Sequence, residues 1–162
     1  MDRLKWRTSF GPGDIGSLIR LHGALYAREY GYDRTFEAYV AAGLAELVRK
    51  FDPARDRLWL VESEGRVIAS VAIVGRAKDS AQLRWYLVHP DFRGRGLGRR
   101  LLRAAVRFCK SRGRRRIYLW TTGELDAARH LYTGAGFRLT RKKTHDIWGR
   151  KNETEERYDL VL

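Results

Sequence analysis

The chain has 162 residues, with 33 Lys+Arg against 19 Asp+Glu and a formal net charge of +14. This length suits one domain, residues 1–162, whose core needs no disulfide or metal staple. One cysteine, Cys109, excludes an intramolecular disulfide framework and a cysteine-rich zinc site. No apolar run reaches the roughly 18–20 residues of a membrane span, and residues 1–10 lack the apolar stretch of a signal peptide, so the expected compartment is the cytoplasm.

In chain order, residues 5–9 read as a first strand, broken at Gly11-Pro12-Gly13, with Asp14 as the predicted N-cap of a helix. Ile15, Leu18, Ile19, His22 and Leu25 form its apolar stripe, and the pattern stops at Gly31. A second helix is predicted from residues 33–35, with Phe36, Val40, Leu44, Leu47 and Phe51 buried, ending at Asp52-Pro53. Residues 58–61 and 67–74 read as a hairpin turning at Glu64-Gly65. Residues 83–88 form a further strand, stopped by His89-Pro90. Leu97, Leu101, Ala105 and Phe108, with Leu102 and Cys109 beside them, mark a helix that Gly113 ends. Residues 117–120 read as a strand and 125–132 as a short helix. Residues 137–140 and 157–162 read as closing strands, with a loop between them. The order β-α-α-β-β-β-α-β-α-β-β predicts one sheet with helices packed on its faces.

The charge is local. Residues 93–116 hold eleven basic residues and no acidic one; the rest of the chain holds 22 basic and 19 acidic residues. A basic excess points to a polyanionic partner, and here it starts in a glycine-rich turn, residues 89–98, between a strand and a helix. The first turn of a helix carries unpaired N–H groups and the positive dipole end, and it binds phosphate readily. Glycines let the backbone come close to the anion. The turn is therefore a candidate pyrophosphate cradle. A Walker loop fails, because no Gly-Lys-Ser/Thr follows. A dinucleotide loop fails too, because the spacing is G-x-G-x-G and the next strand ends in Trp120-Thr121-Thr122 with no acidic residue.

The segment Arg93-x-x-Gly96-x-Gly98 resembles the R/Q-x-x-G-x-G/A signature of the GNAT acetyltransferases. Leu87-Val88-His89-Pro90 looks like that family's fourth-strand ending. Ala128-Arg129-His130-Leu131-Tyr132 with Gly136-Phe137 looks like its A-x-x-L-Y-x-x-x-G-F block, and Tyr158-Asp159-Leu160 like its last strand. Residues 23–32, Leu119-Trp120-Thr121 and His145-x-x-x-Gly149 are similar to the acetyltransferase domain found fused to MarR-type regulators.

The resemblance implies an α/β (α+β) fold: a mixed, mostly antiparallel sheet of about seven strands, flanked by about four helices, with a V-shaped splay between strands four and five. It implies acetyl-CoA as cofactor, held by Tyr86, Leu87 and Val88 and by residues Arg93, Gly94, Arg95, Gly96, Leu97, Gly98 and Arg99. It implies N-acetylation of a primary amine by direct attack, the acceptor being a small molecule or a protein lysine. The Val88 amide would polarise the carbonyl, and Tyr132, also a cofactor contact, would be the general acid. Tyr26, Glu29, Tyr30, His145 and Trp148 would line the acceptor side. Two family positions differ: Leu125 stands where many members have asparagine, and Trp120 where amino-terminal acetyltransferases have a glutamate. The general base is therefore unnamed, with Glu29, Glu62 or His145 as ends of a water chain. The alternative is an inactive binding module that uses its basic helix to hold nucleic acid or a regulatory partner. No membrane and no metal is expected; the chain would act as a monomer or homodimer, with nucleic acid a less favoured partner.

Overall fold

The structure, a computed structural model, describes residues 3–123 and 125–162. Seven strands form one sheet in the order β1-β2-β3-β4-β5-β7-β6: β1 Lys5–Arg7, β2 Arg57–Ser63, β3 Arg66–Gly75, β4 Ser80–Val88, β5 Arg116–Thr122, β6 Arg138–Ile147 and β7 Arg150–Val161. Four α-helices cover it: α1 Asp14–Tyr30, α2 Arg34–Arg49, α3 Leu97–Ser111 and α4 Asp126–Gly134. Every strand pair is antiparallel except β4 with β5. The mixed, mostly antiparallel architecture expected from the sequence is therefore observed.

The two faces carry separate cores. Leu18, Phe36, Val40 and Leu44 pack α1 and α2 on Leu58, Leu60, Ala72 and Trp85. Leu97, Leu101, Ala105 and Phe108 pack α3 on Val61, Val71, Ile73 and Ile117, and Tyr132 of α4 joins the same cluster. Strand residues alternate between the faces with period two, so Leu58 and Leu60 serve one core and Trp59 and Val61 the other.

Helix α1 starts differently from the expectation. Gly13, in the left-handed region at φ 93°, takes the N-cap position, and Asp14 is the first helical residue. The Asp14 carboxylate accepts the Gly11 N–H at 2.8 Å and the Arg7 guanidinium at 2.9 Å, which lowers its pKa. Arg7 also holds Glu62. Asp33 does cap α2, accepting from the Thr35 N–H at 2.9 Å; α2 stops at Arg49, short of Asp52-Pro53.

The largest departure is at the C-terminal end. Residues 141–156, expected as a loop, form most of a hairpin: β6 pairs with β7 from Arg138↔Asp159 to Ile147↔Arg150. Trp148 and Gly149, both at positive φ (54° and 77°), make its two-residue turn. The tip is latched to the α1–α2 junction, since the Asp33 N–H donates to Trp148 O at 2.9 Å and Arg150 Nη1 donates to Tyr30 O at 2.7 Å.

Two features of β4 shape the site. Parallel pairing with β5 covers only Ser80↔Arg116, Ala81↔Ile117 and Gln82↔Tyr118; beyond Gln82 the strands part and leave a wedge. The apex of the wedge is stitched by the Arg115 N–H on Asp79 O at 2.7 Å and by Arg114 Nη1 on Lys78 O at 2.8 Å. A bulge also interrupts β4: the pairs Ala72↔Arg84 and Ser70↔Leu87 leave Trp85 and Tyr86 facing Val71 alone. Trp85 stands at φ 46°, and its carbonyl accepts from Ser70 Oγ at 2.7 Å. The extra residue reverses the alternation. Ala81 and Leu83 face α3, Trp85 packs on the opposite core, and Tyr86 and Val88 face α3 again.

Candidate active site

The wedge between β4 and β5 opens into a cleft of about 750 Å³ that runs from the N-terminus of α3, past the α4 side, to the α1–α2 junction. Its β4 wall offers backbone groups. The His89 N–H donates to Ile68 O at 2.8 Å, so that pair is the hydrogen-bonded one, and the neighbouring pair Ala69↔Val88 is not. The Val88 N–H and C=O therefore turn away from β3, toward the gap. Arg93 Nε donates to Val88 O at 2.9 Å, which leaves the N–H as the group the strand presents.

At one end of the cleft, Gly94 and Gly96 take left-handed backbone (φ 74° and 77°), and Gly96 is the N-cap of α3. A β-carbon is disfavoured in this conformation. The first turn of α3 contains no acidic residue. Gly94, Gly96, Leu97, Gly98 and Arg99 line the cleft. Arg95 does not: its guanidinium lies 5.4 Å from the centroid of the Phe92 ring. Arg93 lines it but is engaged, because its two terminal nitrogens grip the Glu29 carboxylate at 3.0 and 2.8 Å. Glu29 raises the Arg93 pKa further.

Tyr132 is 4% exposed, and its ring lies 5.8 Å from that of Tyr86. Burial pushes its pKa well above 10, so the phenol keeps its proton at neutral pH. Burial also raises the pKa of Tyr86. Tyr86 Oη, Thr121 Oγ1 and His22 Nε2 are buried without a hydrogen-bond partner, and all three residues line the cleft. A buried polar atom left unpaired is costly. On the Tyr86 and Thr121 side, the orphan oxygens, the turned Val88 N–H and the glycine cradle fit a long ligand with a polar chain and a phosphate end.

The other end is aromatic and acidic. Tyr26, Tyr30, Tyr32, Phe36 and Trp148 pack ring on ring with centroids 4.7–5.9 Å apart, and all of them line the cleft. Glu155 lines it too, at 9% exposure. His145 Nε2 contacts Glu155 Oε2 at 2.5 Å, and Lys143 Nζ lies at 3.4 Å from the same oxygen. His145, expected on the acceptor side, thus stands one side chain behind the cleft surface. Glu62 is away from the cleft, bound to Arg7.

Three carboxylates on β7, Glu153, Glu155 and Glu156, are buried, and sequence reasoning missed them. Their pairing partners are the signal that could have found them: β7 lies beside β5, and Glu155 sits opposite Thr122. Among the described residues no group of His, Cys, Asp or Glu could hold a metal ion, and no helix is long and apolar enough to cross a membrane.

The sequence profile of the acetyltransferase (GNAT) family matches residues 23–137. The mycothiol acetyltransferase of Beutenbergia cavernae is 34% identical over 142 residues, covering 78% of this chain and 46% of the relative. The uncharacterized N-acetyltransferase YjgM of Escherichia coli K12 is 32% identical over 114 residues, covering 67% and 68%. This chain spans about half or less of the length of most curated relatives it matches. Among solved structures, yncA from Salmonella typhimurium, which holds its cofactor acetyl-CoA, superposes with a TM-score of 0.72 at 16% identity, covering 98% of this chain and 94% of that one.

Proposed function

Because this chain belongs to the acetyltransferase (GNAT) family, we propose that it is an acetyl-CoA-dependent N-acetyltransferase acting on a primary amine, carried by a small molecule or a protein lysine. The observation that carries this reading is the wedge itself: a strand edge that presents the Val88 N–H to the gap, beside a glycine cradle at a helix N-terminus and the buried Tyr132 phenol. Acetyl-CoA, when bound, supplies an acetyl group activated as a thioester.

In this reading the Tyr86, Leu87 and Val88 backbone pairs with the pantetheine arm, and the amides of Gly94, Gly96, Leu97 and Gly98, with the Arg99 side chain, hold the pyrophosphate. The Val88 N–H is a fixed donor for developing oxyanion charge. Tyr132 keeps its proton for the departing thiolate. Tyr26, Glu29, Tyr30 and Trp148 face the acceptor, with the Glu29 carboxylate positioned by Arg93. An amine attacks only as the free base, so the ammonium proton must leave first. Glu29 is engaged by Arg93, so Glu155, backed by His145, takes that proton.

The same reading takes residues 1–162 as one acetyltransferase domain, a monomer or homodimer in the cytoplasm, of the kind found fused to MarR-type regulators. The test is amine-dependent release of CoA across a broad amine panel, with Tyr132→Phe beside the unchanged chain. The variant should lose about 10²-fold or more in kcat while binding acetyl-CoA equally well. Equal loss of both would remove Tyr132 from the acid role, and no turnover with any amine would overturn the enzyme reading.

A further inference from the structure

The acetyl-transfer reading absorbs the start of the basic segment and leaves the rest of it unexplained. Arg93 is neutralised by Glu29, and Arg114 is used on backbone carbonyls at the wedge apex. Arg100 lies 4.3 Å from the Trp6 ring centroid, and Arg57 and Arg112 lie 4.7 and 5.2 Å from that of Phe108. Among the described residues none of these stacked cations has a carboxylate partner. Arg99, Arg103, Arg107 and Lys110 then run along the outer side of α3, all exposed. Among the described residues no ion pair neutralises any of the four.

This arrangement weakens the helix that carries it. Like charges at i,i+4 repel, and Arg99 and Arg100 sit in the first turn, where the dipole disfavours cations. The row spans about 16 Å from Arg99 to Lys110 at 1.5 Å per residue. A pyrophosphate at the start of α3 can meet Arg99 but not Arg107 or Lys110.

We propose that the outer face of α3 binds the phosphate backbone of nucleic acid, independently of acetyl transfer. A membrane surface fits less well. Interfacial helices insert apolar side chains beside their cations, and here Leu97, Leu101, Leu102, Ala105, Phe108 and Cys109 are all buried in the protein core. The exposed row contains only arginine and lysine, the side chains that neutralise phosphates, and four cations spaced along one helix side match a run of backbone charge. Stacking on Trp6 and Phe108 holds the flanking guanidiniums against the protein, so the phosphate contacts are those of the four-cation row.

The test is fluorescence anisotropy with labelled duplex DNA and single-stranded RNA of mixed sequence, titrated at several salt concentrations. On duplex DNA, four neutralised phosphates give a slope of log K against log salt of about −3.6, an affinity loss of about 150-fold between about 50 and 200 mM salt; on single-stranded RNA the slope is about −2.8. The triple variant Arg103→Gln, Arg107→Gln, Lys110→Gln leaves one cation of the row, and its slope on duplex DNA should flatten to about −0.9. Its melting temperature and its affinity for acetyl-CoA should match those of the unchanged chain, which separates loss of the surface from loss of the fold. A variant that keeps the original slope overturns the proposal. So does failure to bind either nucleic acid, including the case where phosphatidylserine vesicles are bound instead.

Discussion

Gly98 is the second residue of α3 and does not need left-handed backbone; what bars a side chain there is space. A β-carbon on Gly98 would collide with Tyr86 Oη and sit 3.4 Å from Tyr86 Cζ. The Tyr86 ring has little room to move, because it leaves a bulged strand and packs 5.8 Å from Tyr132. Gly98→Ala should therefore carry an overpacking cost of about 1–3 kcal/mol, offset by up to about 1 kcal/mol of helix propensity. Tyr86→Phe removes an orphaned hydroxyl and leaves the ring at ordinary contact distance, so it should be neutral or slightly stabilising. The double variant should then recover the whole overpacking cost, a coupling energy of about 1–3 kcal/mol in a double-mutant cycle. Denaturant unfolding of the four proteins without acetyl-CoA measures it. Additivity within about 0.5 kcal/mol would refute the contact as the reason for glycine at this position. A separate readout tests the hydroxyl as a ligand contact: Tyr86→Phe alone should weaken acetyl-CoA binding about tenfold, the worth of one net hydrogen bond.

Three further outcomes follow from the same geometry. Glu155→Gln should lower kcat/KM about 10²-fold, with partial recovery in Glu155→Asp; an unchanged kcat/KM in Glu155→Gln would exclude Glu155 as the proton acceptor. His22 is buried, donates its Nδ1–H to Leu18 O at 2.8 Å, and has its pKa lowered to about 4 by desolvation. The unfolded chain then binds the proton more readily, so stability is full above pH about 6.5 and falls by up to about 3 kcal/mol as pH drops toward 4; His22→Leu should flatten that slope in acid unfolding, and a retained slope would assign it elsewhere. Cys109 is buried with its thiol pKa pushed up to about 12, so thiol reagents should label it only after unfolding, and rapid labelling of the native protein would contradict its place in the core.

What the sequence made legible followed hydrophobic pattern. The stripe Leu97, Leu101, Ala105 and Phe108 is the buried face of α3, and Phe36, Val40, Leu44 and Leu47 that of α2. The turn at 93–98 was legible because glycine spacing reports backbone geometry directly. The β6–β7 hairpin was not, because β6 is an edge strand with eight of its ten residues exposed, all of Arg138 to Thr144 among them, so no period-two signal exists there. With the hairpin went the buried carboxylates: Glu153, Glu155 and Glu156 lie in a charged run that reads as a solvated loop until β5 is known to lie beside it. The grip of Arg93 on Glu29 joins residues 64 apart, and no local pattern encodes such a pair. The bulge at Trp85 was hidden for a related reason. Leu83, Trp85 and Leu87 alternate cleanly, yet the strand changes face between them.

The short parallel seam between β4 and β5 makes the two halves of the sheet a pair of levers on one pivot. The β4 arm from Gln82 to Val88 is about 20 Å long at roughly 3.3 Å per residue. A rotation of about 5° at the pivot would therefore move Val88, the donor proposed above for the oxyanion, by about 1.7 Å, on a scale where about 1 Å of misplacement can cost 10²-fold in rate. The parts that set this angle are remote from the chemistry: Arg114 clasping the Ala77 and Lys78 carbonyls, and the Arg115 and Arg116 amides sharing Asp79 O. Part of the basic excess thus serves as the rivet of the hinge, and wear at the rivet would be felt at the tips of the arms.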